Sequence, residues 1–244
     1  MTAELLPVAI LAGGLATRLL PVTHAIPKAL VDVGGEPFIV HQLRLLRDNG
    51  ATRVVLCVGH LGEMIQAELA PRAASLGMSI DFSFDGPHLL GTAGALRKAA
   101  HLLGNTFFVL YGDSYLKCNY RDVQRCFVDS GKQALMTVFR NDGRWDTSNV
   151  AFAAGNILAY DKARQLPTMR HIDYGLGVMR ASALGAVPEG KSSDLARLYQ
   201  LLLERGELAG CEISERFYEI GSPDGLAETR TLLEPLSKNQ RQLA

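Results

Sequence analysis

The chain has 244 residues, 48% of them apolar, which is enough to bury a sizeable core in one α/β domain without requiring a second. Its 25 Lys and Arg residues balance 25 Asp and Glu, so no long-range field draws it to nucleic acid or an anionic membrane surface, and a phosphate site must be built locally. The longest apolar runs, such as Phe107 to Tyr111 and Val54 to Val58, have strand length and fall far short of the roughly 20 residues that span a bilayer.

Pro7 to Ala12 reads as a buried strand that breaks into the turn Gly13-Gly14. Met1 to Leu6 carries Glu4 and no cationic cluster, unlike a signal peptide, so the cytoplasm is the expected location. Glu36 to Asn49 has helical periodicity, with Pro37 in the first turn, Ile39, Leu43 and Leu46 on one face and Gly50 at the end. A strand over Arg53 to Val58, a helix over Gly62 to Ala74, a strand over Met78 to Phe84, a helix over Gly91 to Leu103 and a strand over Thr106 to Tyr111 follow. This β-α-β-α alternation predicts a Rossmann-like α/β/α sandwich with a mostly parallel, mixed central sheet.

Beyond Asp113 the rhythm loosens. A helix is expected over Tyr120 to Asp129, a strand over Ala134 to Phe139, short strands near Val150 and Ile157, and strands over Tyr174 to Met179 and Phe217 to Ile220. Helices over Ser193 to Arg205 and Pro223 to Leu233 complete the second half, and with no repeat or long linker the simplest expectation is one domain over 1–244.

The four cysteines form no Cys-x-x-Cys pair, and the six histidines are scattered, so reduced thiols are expected and a His-built metal site is not. Cys57 lies inside an apolar strand and reads as a packing residue. In open parallel sheets, ligands bind beyond the carboxyl ends of the strands, and three features fall at such ends: Gly13-Gly14, the loop around Leu90-Gly91-Thr92, and Asp113.

The run from Leu11 to Leu19 is rich in small residues and is followed by Pro21, Thr23 and Pro27-Lys28. Glycines after a strand let backbone N–H groups approach phosphate oxygens, and Arg18 and Lys28 can add a fork of donors and a point charge; the alternative is a tight turn with two solvated cations. A Walker loop would end in Gly-Lys-Ser/Thr and a dinucleotide fingerprint would read Gly-x-Gly-x-x-Gly, and neither is present. Asp113 ends an apolar strand; it is either a turn or cap residue or a hard oxygen donor suited to magnesium on phosphates.

Leu11 to Val33 resembles the N-terminal signature of the sugar-phosphate nucleotidyltransferases. The match extends through Leu90-Gly-Thr-Ala-Gly-Ala95, similar to the family's base-binding loop, Tyr111-Gly-Asp113, similar to its metal-binding strand end, and Tyr218-Glu-Ile-Gly-Ser-Pro223, similar to its later acidic segment. The resemblance implies the nucleotide-diphospho-sugar transferase type of fold. It also implies a reaction in which a sugar 1-phosphate oxygen attacks the α-phosphorus of a nucleoside triphosphate and pyrophosphate leaves, with Mg2+ as cofactor.

The same resemblance assigns Arg18 and Lys28 to the triphosphate and Leu11, Ala12, Gly13, Gly14 and Thr17 to the nucleotide, with Gly91 and Thr92 beside the base. It makes Asp113 a metal ligand and Glu219 a second one, where the family has Asp. Lys162 would bind the sugar phosphate, its alternative being a solvated loop lysine, while Asp173, Gly175 and Asn149 would meet the sugar. The nucleotide-binding half would occupy about 1–115 and the sugar-phosphate half about 116–236.

Three departures from the family pattern stand out: Ala16 in place of a glycine, Glu219 in place of Asp, and Ser148-Asn149 in place of Tyr-Gly. The Leu-Gly-Thr-Ala-Gly-Ala loop and the short length resemble heptose- and mannose-1-phosphate guanylyltransferases and amino-sugar-1-phosphate uridylyltransferases, with guanylyl transfer preferred. On this reading the short stretch after Pro223 would leave no room for the added β-helical domain of some relatives. The other readings are a transferase using UTP, CTP or dTTP, a nucleotide-sugar sensor without turnover, and a glycosyltransferase, whose Asp-x-Asp motif the chain lacks. A homodimer is compatible with the sequence, but no feature demands it.

Overall fold

The computed structural model describes residues 4–15, 19 and 23–241, the segment 235–241 through its backbone only. In chain order, β1 (Val8–Leu11) is followed by a 3-10 turn at Lys28–Leu30 and a small antiparallel ribbon of β2 (Asp32–Val33) and β3 (Glu36–Pro37). Then come α1 (Phe38–Asp48), β4 (Arg53–Val58), α2 (Gly62–Leu69), α3 (Ala73–Leu76), β5 (Ser79–Phe84), α4 (Gly91–Leu103) and β6 (Thr106–Tyr111). The second half runs β7 (Ser114–Leu116), α5 (Tyr120–Ser130), β8 (Ala134–Arg140), β9 (Val150–Ala153), β10 (Asn156–Tyr160) and β11 (His171–Arg180). It closes with α6 (Leu195–Glu204), β12 (Leu208–Ile213), β13 (Phe217–Glu219) and α7 (Pro223–Arg241).

Among the described residues a nine-stranded mixed sheet has the path β10-β9-β11-β6-β1-β4-β5, with β8 on β11 and β12 on β8. The block β6-β1-β4-β5 is parallel, with Ile10 level with Leu56 and Leu110, whereas β11 runs antiparallel to β6, β8 and β9. Alternation along β1 sends Val8 and Ile10 into a core shared with α1, α2 and α5, and Ala9 into a second core shared with α4 and α6. Phe107 and Phe108 divide between the same two faces, both at 0% exposure, and each such ring stabilises by about 2–3 kcal/mol. Helices thus cover both faces, as the sandwich expectation requires.

Several boundaries differ from the sequence expectations. Glu36 and Pro37 belong to the ribbon and α1 starts at Phe38. The helix expected over Gly62 to Ala74 breaks into α2, a 3-10 turn at Ala70–Arg72 and α3, because Pro71 has no N–H to donate and its ring clashes with the preceding turn. β11 begins at His171 rather than Tyr174, β7 and β12 were not anticipated, and α7 runs beyond Leu233 to Arg241. α6 starts where Asp194 caps it, its carboxylate accepting from Ala196 N at 2.9 Å.

The connections set the position of the cleft. From β1 the chain moves to β4 and β5 on one side, then returns to β6 on the other side of β1. The carboxyl ends of β1 and β6 therefore flank a topological switch point, the crevice where open α/β sheets bind ligands.

Candidate active site at the switch point

One cleft opens over the ends of β1, β4, β5 and β6, lined by Leu11, Ala12, Gly13, Gly14, Lys28, Cys57, Asp85, Leu89, Gly91, Thr92, Tyr111 and Asp113 among others. A second lies over β11 and β7 and is lined by Tyr111, Asp113, Ser114, Asn149, Lys162, Asp173, Gly175 and Glu219 among others. Tyr111 and Asp113 belong to both. The site residues expected from sequence thus gather into two adjoining groups, apart from Thr17 and Arg18, which lie outside the described residues together with Ala16.

Close backbone approach builds the first cleft. Ala12 N donates to Cys57 O at 2.9 Å, and Gly112 N donates to Leu11 O at 3.0 Å. A Cβ on Gly112 would stand 2.6 Å from Leu11 O, so a side chain there would push the metal-candidate turn away from β1. Among the described residues, nothing lies within 4 Å of a Cβ built on Gly14. Cys57 is a packing residue, its thiol pushed up to about 12 by burial.

Gly91 takes φ +67° at the start of α4, and a Cβ there would lie 2.6 Å from Ser193 O. Thr92 lines the cleft, but its hydroxyl is engaged in the protein: it donates to Asp194 Oδ1 at 3.2 Å and accepts from Leu195 N at 2.7 Å. Its hydroxyl ties the Gly91 loop to α6.

At the switch point, Lys28 Nζ donates to Asp113 Oδ2 at 3.0 Å, with the two side chains 19% and 29% exposed. Pro27 precedes a 3-10 turn that presents Lys28, closed by Leu30 N to Pro27 O and Val31 N to Lys28 O. Ser114 Oγ donates to Asp113 Oδ1 at 3.3 Å, and Ile220 N donates to Asp113 O at 2.9 Å. Asp113 is thereby held through its backbone while its carboxylate faces both clefts.

In the second cleft, Lys162 Nζ lies 4.9 Å above the Tyr111 ring, donates to the Tyr111 hydroxyl at 3.3 Å and stands 3.8 Å from Asp173 Oδ2. Burial, followed by the charge of Asp173, holds the Tyr111 phenol well above its ordinary range, so it stays a neutral hydroxyl. Asp173 accepts one hydrogen bond on each carboxylate oxygen, from Tyr160 OH at 3.2 Å and from Gly175 N at 3.1 Å. Asn149 Oδ1 accepts from Asp173 N at 2.9 Å, which leaves its amide hydrogens for a ligand. The pairing of β11 with β8 shifts register between Asp173 and Gly177, and Gly175 takes φ +97° within that irregularity, with a built Cβ only 3.1 Å from Ser114 Oγ.

Glu219 lines the same cleft, yet its carboxylate is turned to the N-terminus of α7. It accepts from Gly221 N, from Ser222 N at 3.1 Å and from Ser222 Oγ, and it packs so closely on Gly225 that a Cβ there would overlap it. This placement completes open helix-terminal donors. Among the described residues, no group of three or more His, Cys, Asp or Glu is arranged to hold a metal ion unaided.

Sequence reasoning missed Asp85. It follows β5, is 8% exposed, and its Oδ2 accepts from Leu90 N at 3.0 Å while no described residue bonds Oδ1. Burial raises its pKa above the usual carboxylate range, only partly offset by the Leu90 hydrogen bond and Lys98. Its signal was present, since an Asp closing an apolar strand just before the Gly91 loop occupies the same kind of position as Asp113.

Comparison with known proteins agrees with this architecture. Mannose-1-phosphate guanyltransferase beta-B of Xenopus laevis is 29% identical over 219 residues, 88% of this chain, and the chain spans 61% of that relative's length. A Bacillus anthracis protein solved in complex with a sucrose superposes with a TM-score of 0.81 at 20% identity, over 94% of this chain and 95% of that one. HddC from Yersinia pseudotuberculosis, complexed with GMP-PN, superposes with a TM-score of 0.76 at 23% identity, over 93% and 99% of the two chains. Residues 8–148 match the nucleotidyl transferase family, and the chain belongs to it.

Proposed function

We propose that this chain transfers a nucleotidyl group from a nucleoside triphosphate, by preference GTP, to a heptose- or mannose-type sugar 1-phosphate, giving a nucleotide sugar and pyrophosphate. The observation that carries this reading is the meeting of two clefts at Asp113 and Tyr111, where an electrophile held in one can face a nucleophile held in the other.

In this reading the backbone at Leu11, Ala12, Gly13 and Gly14, with Thr17 and Arg18, cradles the triphosphate, and Gly91 and Thr92 border the base. Lys162 holds the sugar phosphate, while Asn149, Asp173 and Gly175 shape the sugar pocket. An oxygen of the sugar phosphate forms a bond to the α-phosphorus, the bond from that phosphorus to the bridging oxygen breaks, and pyrophosphate leaves with the electron pair. No covalent enzyme intermediate is needed, so rate comes from alignment and from neutralising charge that moves toward the leaving group. Lys28 can turn from Asp113 to the phosphates to supply part of that charge.

Asp113 fits a magnesium site, since Mg2+ typically uses one or two carboxylates and completes its shell with substrate phosphates and water. Such an ion, bound to Asp113 and to the nucleotide, would polarise the reacting phosphate and stabilise the departing pyrophosphate. Glu219 can join it only through the lone pair of Oε1 left by its three hydrogen bonds.

Asp85 supports the choice of guanine. Asp113, Gly13, Gly59 and Asp85 follow the adjacent strands β6, β1, β4 and β5, so at about 4.8 Å per strand Asp85 stands ~14 Å from the phosphate end, a nucleoside away. An ionised carboxylate only accepts hydrogen bonds. Guanine offers it two adjacent donors, N1–H and the 2-amino group, whereas uracil, thymine, cytosine and adenine set an acceptor beside their donor.

Residues up to about 115 would hold the nucleotide and about 116–236 most of the sugar phosphate; the first cleft is lined entirely from residues 11–113. The four unpaired thiols suit a cytoplasmic enzyme, and no described helix is long and apolar enough to cross a membrane. A sensor without turnover is the second reading, favoured by the engagement of Glu219 at α7. Pyrophosphate release with Mg2+, crossing the common nucleoside triphosphates with hexose, amino-sugar and heptose 1-phosphates, decides between them. Release confined to one pair and lost in Asp113→Ala supports the transferase; tight nucleotide-sugar binding with no release across the panel supports the sensor.

A further inference from the structure

Gln42 is a polar side chain in the interior half of α1, only 1% exposed. Its amide nitrogen donates one hydrogen to Tyr111 O at 3.1 Å and the other to Ser114 O at 2.6 Å. The two carbonyls bracket Gly112 and Asp113. Both acceptors are backbone oxygens, which fixes the amide orientation, because the flipped group would set its oxygen against two others. Gln42 Oε1 is buried and has no described partner. An orphaned buried acceptor is costly, so an apolar side chain of similar shape would suit this helix better if packing were the only requirement.

We propose that Gln42 is the positioning residue for the turn that carries Asp113, clamping it from beneath so that the Asp113 carboxylate and the Tyr111 hydroxyl meet the junction of the two clefts. The turn has other ties on its flanks, Gly112 N to Leu11 O at 3.0 Å and Ile220 N to Asp113 O at 2.9 Å. Those bind it to β1 and β13; Gln42 alone in the described set binds both ends of it to a helix. Without the clamp the two carbonyls must find other donors, and the turn shifts to do so. A displacement of about 1 Å at a reacting centre can lower turnover ~100-fold while leaving binding nearly intact.

This inference rests on the proposed transfer reaction only for its kinetic consequence, so its test has a second readout. Gln42→Met keeps the shape and removes both donors; Gln42→His keeps one. In the folded chain of residues 1–244, amide hydrogen exchange at Gly112 and Ile220 should accelerate at least tenfold in Gln42→Met, with Ala12, bonded to Cys57 O, unchanged. With the active substrate pair, kcat should fall about 10- to 100-fold, with KM for both substrates within about threefold and Gln42→His in between.

Wild-type exchange and wild-type kcat in a folded Gln42→Met would overturn the proposal, as would faster exchange spread evenly over the molecule. Should Gln42→Met not fold, Gln42→His carries the same comparison. Should neither fold, the wild-type side-chain amide of Gln42 decides, since hydrogens that exchange as fast as those of a free glutamine would refute the clamp. If wild type turns over no pair, the transfer reading falls, and the exchange data still judge Gln42.

Discussion

Lys28 Nζ and Asp113 Oδ2 stand 3.0 Å apart across the crevice between β1 and β6, a cation and a hard oxygen donor neutralising each other where two clefts meet. Incoming phosphate can claim the lysine and free the carboxylate. Removing an oriented charge from such a site lowers kcat by roughly 10²- to 10³-fold. We therefore expect Lys28→Met to lose about that much in steady-state pyrophosphate release, and Asp113→Asn at least as much, with thermal unfolding midpoints near wild type. Full activity in both variants would remove the switch point from the mechanism.

Asp85 gives a pH-dependent prediction. Burial raises its pKa, so on acidification it gains a proton at a higher pH than an ordinary carboxylate does. Protonation turns an acceptor into a donor, so GTP affinity should weaken as pH falls through that raised value and be retained above it. For folding the sign is opposite: a raised folded-state pKa contributes stability at low pH that is lost as pH rises through it. Asp85→Asn should abolish the pH step in GTP binding by calorimetry and reduce the preference for GTP over UTP by about tenfold or more, as one good hydrogen-bonded base contact is worth about 1–3 kcal/mol. An unchanged base preference would mean that Asp85 does not read the base.

Lys162 lies over the Tyr111 ring with its side chain 44% exposed, so its ammonium is open to an incoming anion. A charge-assisted hydrogen bond contributes about 1.5–3 kcal/mol, so Lys162→Ala should raise the KM for sugar 1-phosphate ~10- to 100-fold. The KM for the nucleotide should hold within about twofold. Initial rates over a grid of both substrates separate the two. Equal effects on both would place Lys162 outside the sugar-phosphate pocket.

Glu219 separates enzyme from sensor. Shortening it by one methylene withdraws the carboxylate from Gly221 and Ser222 and loosens the start of α7. In an adapted enzyme, Glu219→Asp should lower both the unfolding midpoint and kcat, the first by the ~1 kcal/mol typical of a lost helix cap. A gain in turnover would instead favour the sensor reading. Thermal melts paired with the pyrophosphate assay show which holds.

Much of this was legible beforehand because it is local. The strands at Val8–Leu11, Arg53–Val58 and Thr106–Tyr111 announce themselves as apolar runs ended by glycine or aspartate, and the helices between them by their 3.6-residue period. The miss at Gly62 to Ala74 was also local, with Pro71 in plain view. By contrast, β7 is a three-residue strand that exists only because it pairs with β13, and no periodicity shows in so few residues, whereas β13 itself falls within the strand expected over Phe217 to Ile220.

The sequence by itself determined the alternating α/β architecture, the glycine turn after β1, the carboxylate after β6 and the family likeness, because backbone sterics and hydrophobic period act over a few residues. The tertiary structure decided which distant groups meet. Lys28 reaches Asp113, Gln42 takes the carbonyls of Tyr111 and Ser114, Asp85 lines the first cleft beyond β5, and Glu219 turns to α7. Those pairings depend on strand order and on the close approach that Gly91 and Gly112 permit, and strand order is settled by the burial of both sheet faces rather than by any one segment.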